Sequence, residues 1–193
     1  SAADEGTARH LHEEKQTPIE EIQNPERIKA AVQSRKAIQW CRETLEIDGE
    51  ITRELRLWWD DDWSGQLDYF ELQGDRVFIA DYKMLRGEHE PAKRNVQLQA
   101  QGALAVKNYP NINDVYLALV EPFQDPTYTT VHYSREFLLA KGELFTNASR
   151  YALEPNPPAI AGPKQCKWCA AQPYCPALRK LITETLTNYG QMA

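Results

Sequence analysis

The feature that most constrains this chain is a Gly74-Asp75 pair set between two runs rich in β-branched and aromatic residues, inside the stretch Trp63 to Gln101. A Gly-Asp step flanked by such runs predicts a tight β-hairpin. The first strand carries Asp68, and the second ends in Asp81-Tyr82-Lys83. Side chains alternate along a strand, so Val77, Ile79, Asp81 and Lys83 share one face, with the charged pair at the strand's exit. Asp68 on the neighbouring strand can reach the same spot. After a polar loop, a helical segment carries Gln97 and Gln101 one turn apart.

Two acids and a lysine at adjacent strand ends suit a particular chemistry. Carboxylates bind Mg²⁺ or Mn²⁺, hard cations that prefer oxygen ligands. Such an ion lowers the pKa of bound water and stabilises charge on a phosphoryl oxygen, while a nearby lysine orients the water. The reaction these groups fit is phosphodiester hydrolysis. An exposed ion pair at a strand end is the plainer reading of Asp81 and Lys83 taken alone.

The rest of the chain frames this hairpin. Residues 4 to 16 read as a helix with Asp4 as its cap, and His10 and Glu13 on one face, three apart. Thr17 to Asn24 reads as a linker. A second helix runs from about Pro25 to Leu45, with Ile28, Ala31, Ile38, Cys41 and Leu45 on one apolar stripe that makes Cys41 a core residue. Ile51 to Trp58 alternates as a strand, Arg53, Leu55 and Leu57 on one side and Glu54, Arg56 and Trp58 on the other. Packing is the expected role of Trp58 and Trp59, with base stacking the alternative. Asp60, Asp61 and Asp62 read as a solvated turn. A helix from near Pro91 to Val106 then crosses to a strand at Asp114 to Val120, which implies that the strands it joins are parallel. A further strand, Thr127 to His132, and a helix capped by Ser134 and running to Tyr151 complete the core. Four prolines between Glu154 and Pro163 mark a linker.

At 193 residues the chain is long enough for one domain with a real core. No apolar run approaches the length of a membrane span, so no membrane association is expected. The net charge of −6 argues against a general nucleic-acid coat, although Lys83, Arg86, Lys93, Arg94 and Lys107 make a local basic stretch. Of the four cysteines, three cluster as Cys166, Cys169 and Cys175, a spacing of metal or iron–sulfur ligands rather than of a disulfide framework. Both kinds of centre want a fourth ligand.

The ordered motifs resemble the PD-(D/E)XK nuclease superfamily, in particular its RecB-like exonuclease branch with iron–sulfur and CRISPR-associated members. Gly65-Gln66-Leu67-Asp68 is similar to the GxxD motif and Asp81-Tyr82-Lys83 to the (D/E)xK motif. Gln97 matches the glutamine of QxxxY, while Gln101 stands where the family usually has tyrosine. Gly6-Thr7-Ala8-Arg9-His10 resembles the GTxxH motif. Each motif alone is weak, and the set in this order is strong.

The resemblance implies an α/β fold: a mixed central sheet flanked by helices, a restriction-endonuclease-like core at 1–155, and a linker and cysteine segment at 156–193. It implies that Asp68, Asp81, His10 and the Tyr82 backbone carbonyl hold Mg²⁺ or Mn²⁺, with Glu54 a further candidate. Lys83 then positions the attacking water, and Gln97 orients the lysine or the DNA. Cys166, Cys169 and Cys175 are implied ligands of a 4Fe-4S cluster. Its fourth ligand is expected upstream of Ser1, with Cys41 the alternative within the chain, and three reduced thiols or a zinc knuckle the plainer reading. The implied activity is exonucleolytic hydrolysis of DNA, single-stranded or at duplex ends, by a cytoplasmic protein of bacterial or phage origin. A recombination or CRISPR-adaptation protein is the implied partner. A nuclease fold kept as a DNA-binding scaffold is the competing reading, and a zinc-knuckle RNA-binding protein a third.

Overall fold

The computed structural model describes residues 2–87, 89–155, 157, 159–167 and 169–190. Two compact units divide the chain, 1–149 and 150–193. The first is built on a five-stranded sheet in the order β1 (Glu50–Trp59), β2 (Trp63–Gln73), β3 (Arg76–Tyr82), β4 (Asp114–Val120) and β5 (Tyr128–Ser134). All neighbours are antiparallel except β3 and β4, which are parallel, as the crossover helix between them requires. This mixed sheet flanked by helices is consistent with a restriction-endonuclease-like core.

Local chemistry sets the element boundaries. Gly74 turns the β2–β3 hairpin at φ +61°, a conformation that costs glycine little. Helix α1 spans Ala2–Glu14, so Asp4 sits in the first turn rather than at the cap, where it still complements the helix dipole. The Asn24 side chain accepts hydrogen bonds from the Glu26 and Arg27 amides to start α2 (Pro25–Leu45), which ends on Glu46 in the left-handed region. Asn95 caps α3 (Val96–Asn108) through the Leu98 amide.

The sheet is covered on both faces. On one, Leu57, Trp59, Leu67, Val77, Ile79 and Leu117 pack against Leu98 and Leu104 of α3 and Leu138 of α4 (Arg135–Ala152). On the other, Tyr69, Phe78, Ala80, Tyr82 and Ala118 meet Ala30, Ala37, Ile38 and Cys41 of α2. Cys41 is 1% exposed, as its stripe predicted, and burial pushes its thiol up to about 12, far from a ligating thiolate. Buried Glu71 is fully satisfied by Arg42, the Tyr69 hydroxyl and the Gly49 amide, which ties α2 to β2.

The alternation expected along β1 breaks once. Arg53 lies over the Tyr69 ring on the α2 side, yet Leu55 and Leu57 face the α3 core. Glu54 absorbs the change at φ +54°. Directly across, β2 changes face in the same place: Leu67 belongs to the α3 core and Tyr69 to the α2 core. Beyond the break Trp59 is buried and stacks on Trp63, while Trp58 is 55% exposed, contrary to the packing role expected of it.

The second unit holds α5 (Pro163–Cys166) and α6 (Pro176–Gly190). No described helix is long and apolar enough to cross a membrane.

Trp59 occupies the space over Gly142 so closely that an added Cβ would fall 2.2 Å from its ring. Gly142→Ala is therefore expected to destabilise the first unit by about 1–3 kcal/mol despite alanine's better helix propensity. Urea denaturation checks this, and an unchanged or raised midpoint would contradict the packing described.

Candidate metal centre

The site lies where β2 and β3 separate. Their ladder runs from Gln73↔Arg76 to Tyr69↔Ala80 and stops. One step further the Tyr82 amide donates to Asp68 Oδ2 at 2.8 Å, so a side chain takes the place of a ladder carbonyl. On the other side of Asp68, the β1–β2 ladder passes from Arg53↔Tyr69 to Leu55↔Leu67 and skips Glu54 and Asp68. Both acids are thereby released from regular pairing and face one another.

Helix α1 adds the third group. Arg9 donates to the Met84 carbonyl at 2.7 Å, anchoring the helix to the exit of β3. Glu5 accepts from Nε and Nη2 of Arg27, each at 2.9 Å, and buried Glu13 pairs with Arg35 at 3.1 Å, fixing α1 on α2. Glu13 thus clamps helices together, and burial raises its carboxyl above the ordinary value against the pull of Arg35. Gly6 allows the close approach of Leu85, whose side chain a Cβ would meet at 3.2 Å. The outcome is that His10 Nδ1 stands 3.8 Å from Asp68 Oδ2. His12, two residues further on, contacts Thr17 instead.

His10, Glu54 and Asp68 each offer a ligand atom within 4.8 Å of the others. One imidazole nitrogen and two carboxylates form a donor set suited to Mn²⁺ or Mg²⁺. The acids are crowded: burial, then the charges of Asp81 and Glu54, push the Asp68 carboxyl up to about 7, although the Tyr82 amide and the Lys83 charge pull it down. A cation at this place would relieve that repulsion, and on that ground the residues fit the ion.

Asp81, expected to join His10 and Asp68 on one ion, is engaged otherwise. Lys83 Nζ lies 2.6 Å from Asp81 Oδ2, and Gln97 and Gln101 donate to Oδ1 at 2.5 and 3.2 Å. Gln97 also accepts from Lys83 Nζ at 2.8 Å, closing a ring of Asp81, Lys83 and Gln97. Val77 and Ile79 sit in the α3 core below, so this group occupies the face that strand parity assigned to it. Of Tyr82, the backbone amide is the group in contact with an acid; its ring is buried on the α2 side, where it meets His10 edge-on.

Gln101 plays a part that its motif position concealed. It is buried and bridges Asp81 to the Gln66 carbonyl at 3.1 Å, linking α3 to both strands of the split. The signal for it was its helical spacing from Gln97.

In the second unit, Cys166 and Cys175 are half-buried and Cys169 is exposed. Their three sulfurs do not all lie within 4.8 Å of one another. A structural zinc or iron–sulfur centre takes four ligands, and these thiols supply three.

The chain matches the family model of the PD-(D/E)XK nuclease superfamily over residues 4–176. Among solved structures, SSO0001 is similar at 12% identity over 89% of this chain and 82% of that one, with a TM-score of 0.36. No curated protein matches the chain.

The raised Asp68 carboxyl has a consequence for stability. The folded state holds the proton up to about 7 whereas the unfolded chain releases it near the ordinary 3.8. The metal-free protein is therefore expected to lose stability as pH rises between those values and to stay low above them. Asp68→Asn should be more stable than wild type at about pH 8 in EDTA, with the gap closing toward about pH 4. Urea midpoints measure it; a mutant less stable than wild type at the higher pH would contradict the crowding.

Proposed function

The chain belongs to the PD-(D/E)XK nuclease superfamily, and from that premise we propose that it is a divalent-metal-dependent deoxyribonuclease of the RecB-like type, acting at DNA ends. The observation that carries the proposal is the meeting of two half-sites across one strand split. His10, Glu54 and Asp68 converge on one side, and Lys83 is held by Asp81 and Gln97 on the other.

Mg²⁺ or Mn²⁺, when bound by His10, Glu54 and Asp68, supplies Lewis acidity and a water of lowered pKa. The chain's own residues do the positioning. Asp81 holds the Lys83 ammonium against the site, and Gln97 fixes both by accepting from the lysine and donating to the acid. Lys83 donates a hydrogen bond to the attacking water, orienting it toward the phosphorus, and its charge offsets that developing on the phosphoryl oxygens. Gln101, where relatives usually carry tyrosine, keeps Asp81 from turning away by linking it to β2. With three thiols present, the cysteine segment supports a structural role for any cluster there and no part in the hydrolysis.

A second reading, a nuclease fold retained for DNA binding with weak or no activity, draws on the engagement of Asp81 with Lys83 and two glutamines instead of with the His10 trio.

An assay on end-labelled DNA with Mg²⁺ or Mn²⁺ separates the two readings. Wild type is expected to release short products from the ends, Asp81→Ala to abolish release, and Lys83→Ala to lower the rate by about 10²–10⁴-fold with metal binding kept. Wild-type protein that binds DNA without cutting it would establish the scaffold reading instead.

A further inference from the structure

The far half of the β1–β2 hairpin has an outer face that the two cores leave free. Past Glu54 the side chains of Leu55, Leu57 and Trp59 turn to the α3 core, so Arg56 and Trp58 point the other way. Trp58 is 55% exposed between neighbours at 7% and 1%. Its backbone is pinned, since Asn108 of α3 donates to the Trp58 carbonyl at 2.9 Å. Arg56 is held flat by Ser64 Oγ at 2.8 Å and Gln66 Oε1 at 3.3 Å, and it forms no ion pair among the described residues. Gln66 in turn donates to Glu54 Oε2 at 2.6 Å. A chain of hydrogen bonds therefore leads from the metal trio to this face.

We propose that Trp58 and Arg56 form a strand-binding subsite beside the metal trio. The indole stacks on a base of an unpaired DNA strand, and the guanidinium meets a backbone phosphate. The proposal rests on the nuclease reading above and specifies the substrate strand's path. Three observations select this occupant. An arginine oriented by neutral partners keeps its full charge for an anion, and its planar fork matches a phosphate. A lone exposed indole among Arg56, Ser64 and Gln66 offers one stacking platform and no broad apolar patch of the kind a protein partner buries. The strand rise carries the face roughly 13 Å from Glu54 to Trp58, the length of about two nucleotides of an extended strand, so a phosphate at the trio and a base on the indole belong to one short segment. Bases inside a duplex are covered by their neighbours and a duplex end bares only its last pair, whereas every base of an unpaired strand can present a face to the indole.

The test measures binding apart from hydrolysis. Wild type, Trp58→Ala, Trp58→Phe and Arg56→Ala are titrated in Ca²⁺ against a fluorescent oligo-dT and a blunt hairpin duplex of equal charge. Trp58→Ala is expected to weaken oligo-dT binding by about tenfold or more, with the duplex changed less than about twofold, and Trp58→Phe to recover most of the loss. Arg56→Ala should weaken oligo-dT binding and lower the salt slope by about one phosphate contact. Thermal melts identical to wild type are expected, because both side chains are exposed. Equal oligo-dT affinity for wild type and Trp58→Ala, from a protein that cuts DNA in Mg²⁺ or Mn²⁺, would overturn the subsite and leave the nuclease reading standing. Wild type that neither binds nor cuts DNA would overturn both.

Discussion

The hydrogen bond from the Tyr82 amide to the Asp68 carboxylate is the interaction on which the site depends. A regular hairpin would go on to pair the backbones of Asp68 and Asp81. Substituting a side-chain oxygen for a ladder carbonyl ends the β2–β3 pairing at Tyr69↔Ala80 without leaving the Tyr82 amide unsatisfied. The split then admits groups from three directions: Glu54 from β1, His10 from α1, and the Lys83, Gln97 and Gln101 cluster from the α3 side. Meanwhile β3 remains paired with β4 through Tyr82↔Val120, and the Lys83 amide donates to the Val120 carbonyl, so the opened edge is backed by an intact parallel pair.

Electrostatics divides the labour between the two halves. The Lys83 ammonium is set on Asp81, and the carboxylates of Asp68 and Glu54 are left to confront each other with only a histidine between them. Burial first, then the charges of Asp81 and Glu54, raises the Asp68 carboxyl, and two acids beside a histidine fit a divalent ion. Away from the split, buried acids are neutralised: Glu71 by Arg42 and Glu13 by Arg35. Three neighbouring carboxylates, Asp68, Asp81 and Glu54, gathered round one lysine and one histidine, are the physical mark of the site.

Much of this was legible in the sequence. The Gly74-Asp75 turn, the parity of Val77, Ile79, Asp81 and Lys83, the parallel β3–β4 pair and the burial of Cys41 all follow from short-range rules, and the structure agrees with each. The face change at Glu54 was not legible, because a glutamate at positive φ carries no glycine or asparagine signal and is set by the facing strand. The exposure of Trp58 agrees with strand parity, which sets it opposite Leu57; the packing role expected of it came from the residue type, since an indole is usually buried. The role of Gln101 was hidden because it depends on a backbone carbonyl 35 residues away. The seating of His10 likewise rests on a contact between Arg9 and a carbonyl 75 residues away, which no periodicity reveals.

Mn²⁺ titration by calorimetry or electron paramagnetic resonance tests the central claim, that His10, Glu54 and Asp68 form one ion site at the strand split. Wild type is expected to bind one ion, with Glu54→Gln and His10→Asn each weakening it by about tenfold or more while the fold is kept. Unchanged Mn²⁺ affinity in both variants would contradict the account.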